Sequence, residues 1–192
     1  MAITQYRERT LLHLQAALQP AGPVSTALDF GSGDGFFCHH LSASGRIGTI
    51  TPVDVVERRH SFVRPRLYDG RRLPFADASF DLCYAVDVVH HCPDPLAALA
   101  EMLRCSRRWL LLKDHNCQGP LGHLTLAVLD ELGNRRFGIP SPGRYQRDWA
   151  WARWLESQGL ERVHWQHPAA SHAGLMGRAT NGLQFVGLWR RR

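Results

Sequence analysis

Three glycines at alternate positions interrupt an apolar run in Phe30-Gly31-Ser32-Gly33-Asp34-Gly35-Phe36. Glycine lets a backbone turn sharply and approach a ligand with no Cβ in the way. A helix beginning just beyond would offer free N–H groups. Asp54 closes the next apolar run, 23 positions after Gly31. A carboxylate there can accept from both hydroxyls of a ribose, the task such acids perform in nucleotide-binding sheets. Asp69 follows a third run and precedes Gly70. An acid there can accept from an exocyclic adenine amine while Gly70 lets the backbone lie against the base. The plain alternatives are a surface acid ending a strand and a turn aspartate.

A second group of residues could move protons. His90-His91 follow the run DLCYAVDVV, and Asp114-His115 follow WLLLK. Histidine, with an ordinary pKa near 6.5, suits proton removal at neutral pH. His115 is the preferred base, with Asp114 beside it as a possible orienting group. His90 and His91 are further candidates whose bland reading is to shape their loop. His90, His91, Cys92, His115 and Cys117 include ligand types for a metal, but at no standard spacing, so no metal site is expected.

These residues need elements to hold them. Residues 3–18 carry apolar positions at helical spacing, and Pro20-Ala21-Gly22-Pro23 stops that helix. Strands are expected at 26–30, 48–54, 62–68, 81–89 and 109–113, with two more at 161–166 and 183–189. Helices are expected at 36–41, 121–132 and 148–158. Another opens at Asp94-Pro95, with Asp94 as N-cap and Pro95 in the first turn. Pro65 cannot donate to a ladder, which makes the third strand a sheet edge. Strands alternating with helices predict a doubly wound α/β sheet, mostly parallel, and the last two strands suggest a closing antiparallel pair. Trp149, Trp151 and Trp154 could line a pocket, but at helical spacing they read as core.

Composition narrows the function classes. The chain has 192 residues, 44% hydrophobic and 21% charged, which fits one globular domain over 1–192. No apolar run approaches the length of about 20 residues needed to cross a bilayer, and the charged N-terminus lacks a signal-peptide core. Cytoplasmic residence is expected. Five cysteines without a C-x-x-C pair read as reduced, mostly buried thiols. The net charge is +6, and all but one of the 23 basic residues are arginine, Lys113 being the exception. The bias reads as codon usage. The arginines are scattered instead of forming a stripe with aromatics, so nucleic acid is not the expected partner.

The stretches ALDFGSGDGFF, VDVV, YDGRRLPFADASFDLCYAVDVVHHCPDPLAALAEMLR and WLLLKDH, in this order, resemble the motifs of class I S-adenosylmethionine-dependent methyltransferases. More narrowly they resemble the small bacterial branch akin to the ubiquinone/menaquinone-biosynthesis type. The resemblance spans residues 27–159. It implies a Rossmann-like seven-stranded sheet in the order 3-2-1-4-5-7-6, with strand 7 antiparallel. It implies S-adenosyl-L-methionine as cofactor and S-adenosyl-L-homocysteine as product. Asp29, Gly31 and Gly33 would face the methionine part, Asp54 with Val55 the ribose, and Asp69-Gly70 the adenine. Asp87 and Val88 would lie under the cofactor.

One departure is the missing glycine pair before strand five, where Cys105-Ser106-Arg107-Arg108 stands and should shorten a loop. The substrate side is expected at 117–147 as a lid, where Asp130, Asn134, Pro140 and Tyr145 resemble a lid segment of one methyltransferase subgroup. Residues 1–22 form a helical cap, with Tyr6 and Arg7 closing over the cofactor. The expected acceptor is a small-molecule or lipid-like metabolite. The competing readings are a repurposed, non-catalytic member that keeps the cofactor, an RNA methyltransferase, and a nicotinamide oxidoreductase. The last is disfavoured because the turn runs G-x-G-x-G, not G-x-G-x-x-G.

Overall fold

The apolar runs of the sequence become the middle of one sheet because both of its faces are covered. The computed structural model describes residues 4–117, 119, 122–127 and 144–192. Its elements run α1 (Gln5–Ala17), β1 (Val24–Phe30), α2 (Phe36–Ala43), β2 (Ile47–Asp54), β3 (Arg66–Leu67), β4 (Phe80–Val86) and α3 (Pro95–Cys105). They continue with β5 (Ser106–Cys117), β6 (Gln146–Arg147), α4 (Ala150–Ser157), β7 (Leu160–Gln166), α5 (Gly174–Thr180) and β8 (Gln184–Arg191). The sheet order is β3-β2-β1-β4-β5-β8-β7, with β6 pairing the end of β5. Strands β1 to β5 are parallel, and β8 is antiparallel to both β5 and β7. This is the expected order, with the two-residue β6 added.

Alternation along each central strand feeds two cores. Cys83, Ala85, Leu110 and Leu112 pack on one face with Leu99, Met102, Trp151 and Leu155 from α3 and α4. Leu82, Tyr84, Trp109 and Leu111 pack on the other with Leu14, Ala17 and Leu41 from α1 and α2. Burial of each leucine or methionine among them is worth about 1.5–3 kcal/mol, and the alternation fixes register, since a one-residue slip would exchange the faces. Asp94 caps α3 as expected, accepting from the N–H groups of Leu96 and Ala97. Helix α3 runs straight into β5 at Ser106, so the expected short connection is in fact no loop at all. Trp151 is core, and Trp149 and Trp154 pack against that core. All five cysteines are unpaired, four of them buried.

Two strands end differently from their sequence pattern. The third strand, expected at 62–68, is reduced to Arg66–Leu67, still at the edge. Its first part folds back on the glycine turn instead. The Phe62 N–H donates to Asp34 O at 2.6 Å and its ring packs 5.5 Å from that of Phe36. The fourth strand, expected to reach residue 89, stops at Val86. Asp87 takes a left-handed backbone with φ +53° and leads to a turn of 3-10 helix over Val89–His91. Extended pairing cannot continue through that conformation.

Candidate functional site

The ends of β1, β2 and β4 meet at the carboxyl edge of the sheet, where ligands bind in open α/β folds. The chain leaves β1 through Gly31 at φ +68°. A Cβ there would lie 2.1 Å from Val88 Cγ2, so only glycine lets the turn pass this close to the end of β4. Gly33 donates its N–H to Asp54 Oδ2 at 2.8 Å. Asp54 Oδ1 accepts from the N–H groups of Val55 and Val56 at 2.7 and 3.2 Å. A carboxylate offers about four acceptor positions, so these three bonds fix Asp54 and leave it capacity for a ligand hydroxyl. Asp69 Oδ1 accepts from Arg71 and Arg72 N–H, which holds its exposed carboxyl below the ordinary range. Gly70 sits beside Val55, whose Cγ1 would be 3.1 Å from a Cβ at that position. The structure thus brings the sequence-selected Gly31, Gly33, Asp54, Val55, Asp69 and Gly70 onto one edge.

Asp29 lies behind this turn, 2% exposed, and its Oδ2 has no hydrogen-bond partner among the described residues. Burial pushes its carboxyl up to about 7, with the nearby Tyr84 hydroxyl opposing the rise and the charges of Asp54 and Asp34 adding to it. A buried carboxylate next to a Cβ-free turn fits the amino-acid end of an adenosyl-sulfonium cofactor, which carries an ammonium. The acid at the end of β2 fits its ribose.

Asp87 is tied down by partners that sequence spacing does not show. Its N–H donates to Lys113 O at 2.8 Å, and its Oδ1 accepts from Lys113 Nζ at 2.6 Å. The Tyr6 hydroxyl donates to Asp87 Oδ2 and accepts from Lys113 Nζ. Burial, and next the Asp87 charge, push the Tyr6 hydroxyl well above its usual range, so it stays a donor. Arg7 pairs with Asp34 of the glycine turn at 2.8 Å. The first turn of α1 is therefore pinned to the site at two points. The one lysine in an arginine-rich chain was the signal that could have marked Lys113.

The histidines sort themselves by their carboxylate partner. His90 Nδ1 lies 2.6 Å from Asp114 Oδ1, whereas His115 Nδ1 is 3.5 Å from it. The preferred base from sequence was His115; the residue that Asp114 orients is His90. Asp114 also accepts from the N–H groups of Val89 and His115. Burial alone would raise its carboxyl, but His90 and His115 hold it well below the usual range. The His91 ring lies tilted at 45° against that of His90, 4.1 Å between centroids, and the Tyr145 ring lies 5.2 Å from His90 and 6.1 Å from His115. Ligand atoms of His90, Asp114 and His115 also lie within 4.8 Å of one another. The 2.6 Å contact of His90 with Asp114 is a hydrogen-bond distance, which favours a dyad over two ligands of one metal. Of the expected lid, Tyr145 joins this cluster. Asp130, Asn134 and Pro140 lie outside the described residues.

Comparisons with known proteins bear on the domain and the fold. The family described as "Methyltransferase domain" matches residues 28–108. A Mycobacterium marinum protein named as an uncharacterised methyltransferase is 33% identical over 141 residues, covering 62% of this chain and 54% of that protein. The chain thus spans about half the length of such curated relatives. A Mesorhizobium loti S-adenosylmethionine-dependent methyltransferase has a similar fold, with TM-score 0.67 at 13% identity over 98% of both chains. The [4+2]-cyclase SpnF is similar too, with TM-score 0.65 at 16% identity over 99% of this chain and 83% of its own. The chain thus carries a segment that matches a methyltransferase domain, within a fold shared with S-adenosylmethionine-dependent methyltransferases of known structure.

Proposed function

We propose that the protein transfers a methyl group from S-adenosyl-L-methionine to a small-molecule or lipid-like acceptor, in the cytoplasm. The observation that carries this is the joined edge of Asp29, the Gly31 turn and Asp54, in which a nearly fully buried carboxylate borders a turn with no room for a Cβ. The cofactor supplies a methyl already activated on a sulfonium. Asp29, Gly31 and Gly33 take its methionine part, Asp54 and Val55 the ribose, Asp69 and Gly70 the adenine, while Asp87 and Val88 floor the site. Holding the acceptor in line supplies much of the rate. In the transfer the methyl–sulfur bond breaks, the methyl–acceptor bond forms, and the acceptor proton goes to His90 Nε2. Asp114 accepts the Nδ1 hydrogen of His90 and so makes Nε2 the basic nitrogen. His91 and His115 flank that proton path. Residues 1–22 act as a cap through Tyr6 and Arg7, and residues 117–147 as the lid on the acceptor side.

Mass spectrometry of small molecules carried by the purified protein, followed by an acceptor screen for S-adenosylhomocysteine release, tests this reading. Calorimetry with Asp54→Ala should show at least tenfold weaker cofactor binding. Wild-type affinity in that variant would sink it. A second reading is a repurposed fold that keeps the cofactor without methyl transfer. It is favoured by the likeness to SpnF, named as a cyclase. It predicts tight cofactor binding with no S-adenosylhomocysteine from any acceptor.

A further inference from the structure

Lys113 is the one lysine of the chain, and its side chain is fully buried. A buried ammonium is costly unless paired and hydrogen-bonded. Here it donates to Asp87 Oδ1 and to the Tyr6 hydroxyl, with the Tyr6 ring centroid 4.9 Å away. Lys113 grips Asp87 twice, since its carbonyl also takes the Asp87 N–H. That double grip holds Asp87 in its left-handed conformation, which is costly for a non-glycine residue. His115 Nδ1, 3.7 Å from Asp87 Oδ1, and the His172 ring, 4.6 Å from that of Tyr6, complete the surroundings.

Resting on the cofactor reading above, we propose that Lys113 cancels the charge of Asp87 at the floor of the site, so that the site does not hold the cationic sulfonium in preference to the neutral thioether. Only interactions stronger in the transition state than in the ground state speed a reaction. The positive charge on sulfur disappears as the methyl leaves. A bare carboxylate at the floor would therefore stabilise the starting state and oppose transfer. Paired with Lys113, Asp87 keeps its shape and its hydrogen bonds with little net field. Lys113 is on this account a positioning residue with an electrostatic task.

The test is calorimetric titration with S-adenosylmethionine and, separately, S-adenosylhomocysteine, on wild type, Lys113→Met and Asp87→Asn. Lys113→Met leaves a bare carboxylate and should tighten the charged ligand relative to the neutral one by about fivefold or more. Asp87→Asn leaves a bare ammonium and should shift the same ratio in the opposite direction by a similar factor. Opposite signs are the signature, because lost packing weakens both ligands together. An unchanged ratio in Asp87→Asn overturns the proposal even if Lys113→Met does not fold. Wild type binding neither ligand overturns the cofactor reading, and this proposal with it.

Discussion

His90 and Asp114, separated by 24 residues in the chain, share a 2.6 Å contact with each side chain 1% exposed. The carboxylate is buried yet held ionised by the imidazoles around it.

Asp114→Asn keeps the size of the side chain but offers an amide where the carboxylate accepted the Nδ1 hydrogen. Turnover should fall by about 10²–10³, within the range for a lost general base, with the cofactor dissociation constant unchanged. The acid limb of the pH–rate profile should move as well. An unaltered profile at wild-type turnover would remove His90 from the mechanism.

The same carboxylate links stability to acid. Its folded pKa lies below the unfolded value near 3.9, so it adds stability that is present above about pH 4. That stability is lost as pH falls toward the folded value. Urea unfolding of wild type and Asp114→Asn should therefore differ at neutral pH and converge below about pH 4. A gap that stays constant with pH would contradict the charged dyad.

Asp29 behaves in the opposite sense. Its folded pKa of about 7 lies above the unfolded value, so ionisation costs stability that begins to be lost above about pH 4 and is lost in full past about pH 7. In the ligand-free protein, Asp29→Asn should gain on wild type across that window, with an upper bound of about 4 kcal/mol. S-adenosylmethionine, which brings an ammonium, should bind wild type more tightly as pH rises toward 7. A flat affinity in wild type would detach Asp29 from the ligand.

Gly31→Ala adds a Cβ that would meet Val88 Cγ2 at 2.1 Å, at a φ of +68°. Left-handed backbone and overpacking together should cost about 2–4 kcal/mol, read as a fall in thermal midpoint, with cofactor binding lost. Adding Val88→Ala should recover part of the stability. No recovery would mean that the strain is purely in the backbone.

Features written in neighbouring residues were legible from the sequence alone. The glycine turn, the strand-end acids Asp54 and Asp69, the Asp94-Pro95 cap and the edge placement implied by Pro65 depend on backbone chemistry within a few positions. The two-faced apolar runs similarly fixed the sheet class through side-chain periodicity. What tertiary structure decided were meetings between distant residues and the ends of elements. Tyr6 and Asp87 are 81 positions apart, Asp87 and Lys113 are 26, and no local pattern announces either contact. The histidines show the reason most directly. Asp114 near the end of β5 accepts the N–H of its neighbour His115 at 2.7 Å, yet its shortest ring contact, 2.6 Å, is with His90 beyond the end of β4. Adjacency in sequence pointed to His115 as the partner of Asp114, and the parallel pairing of β4 with β5 brings His90 closer to it.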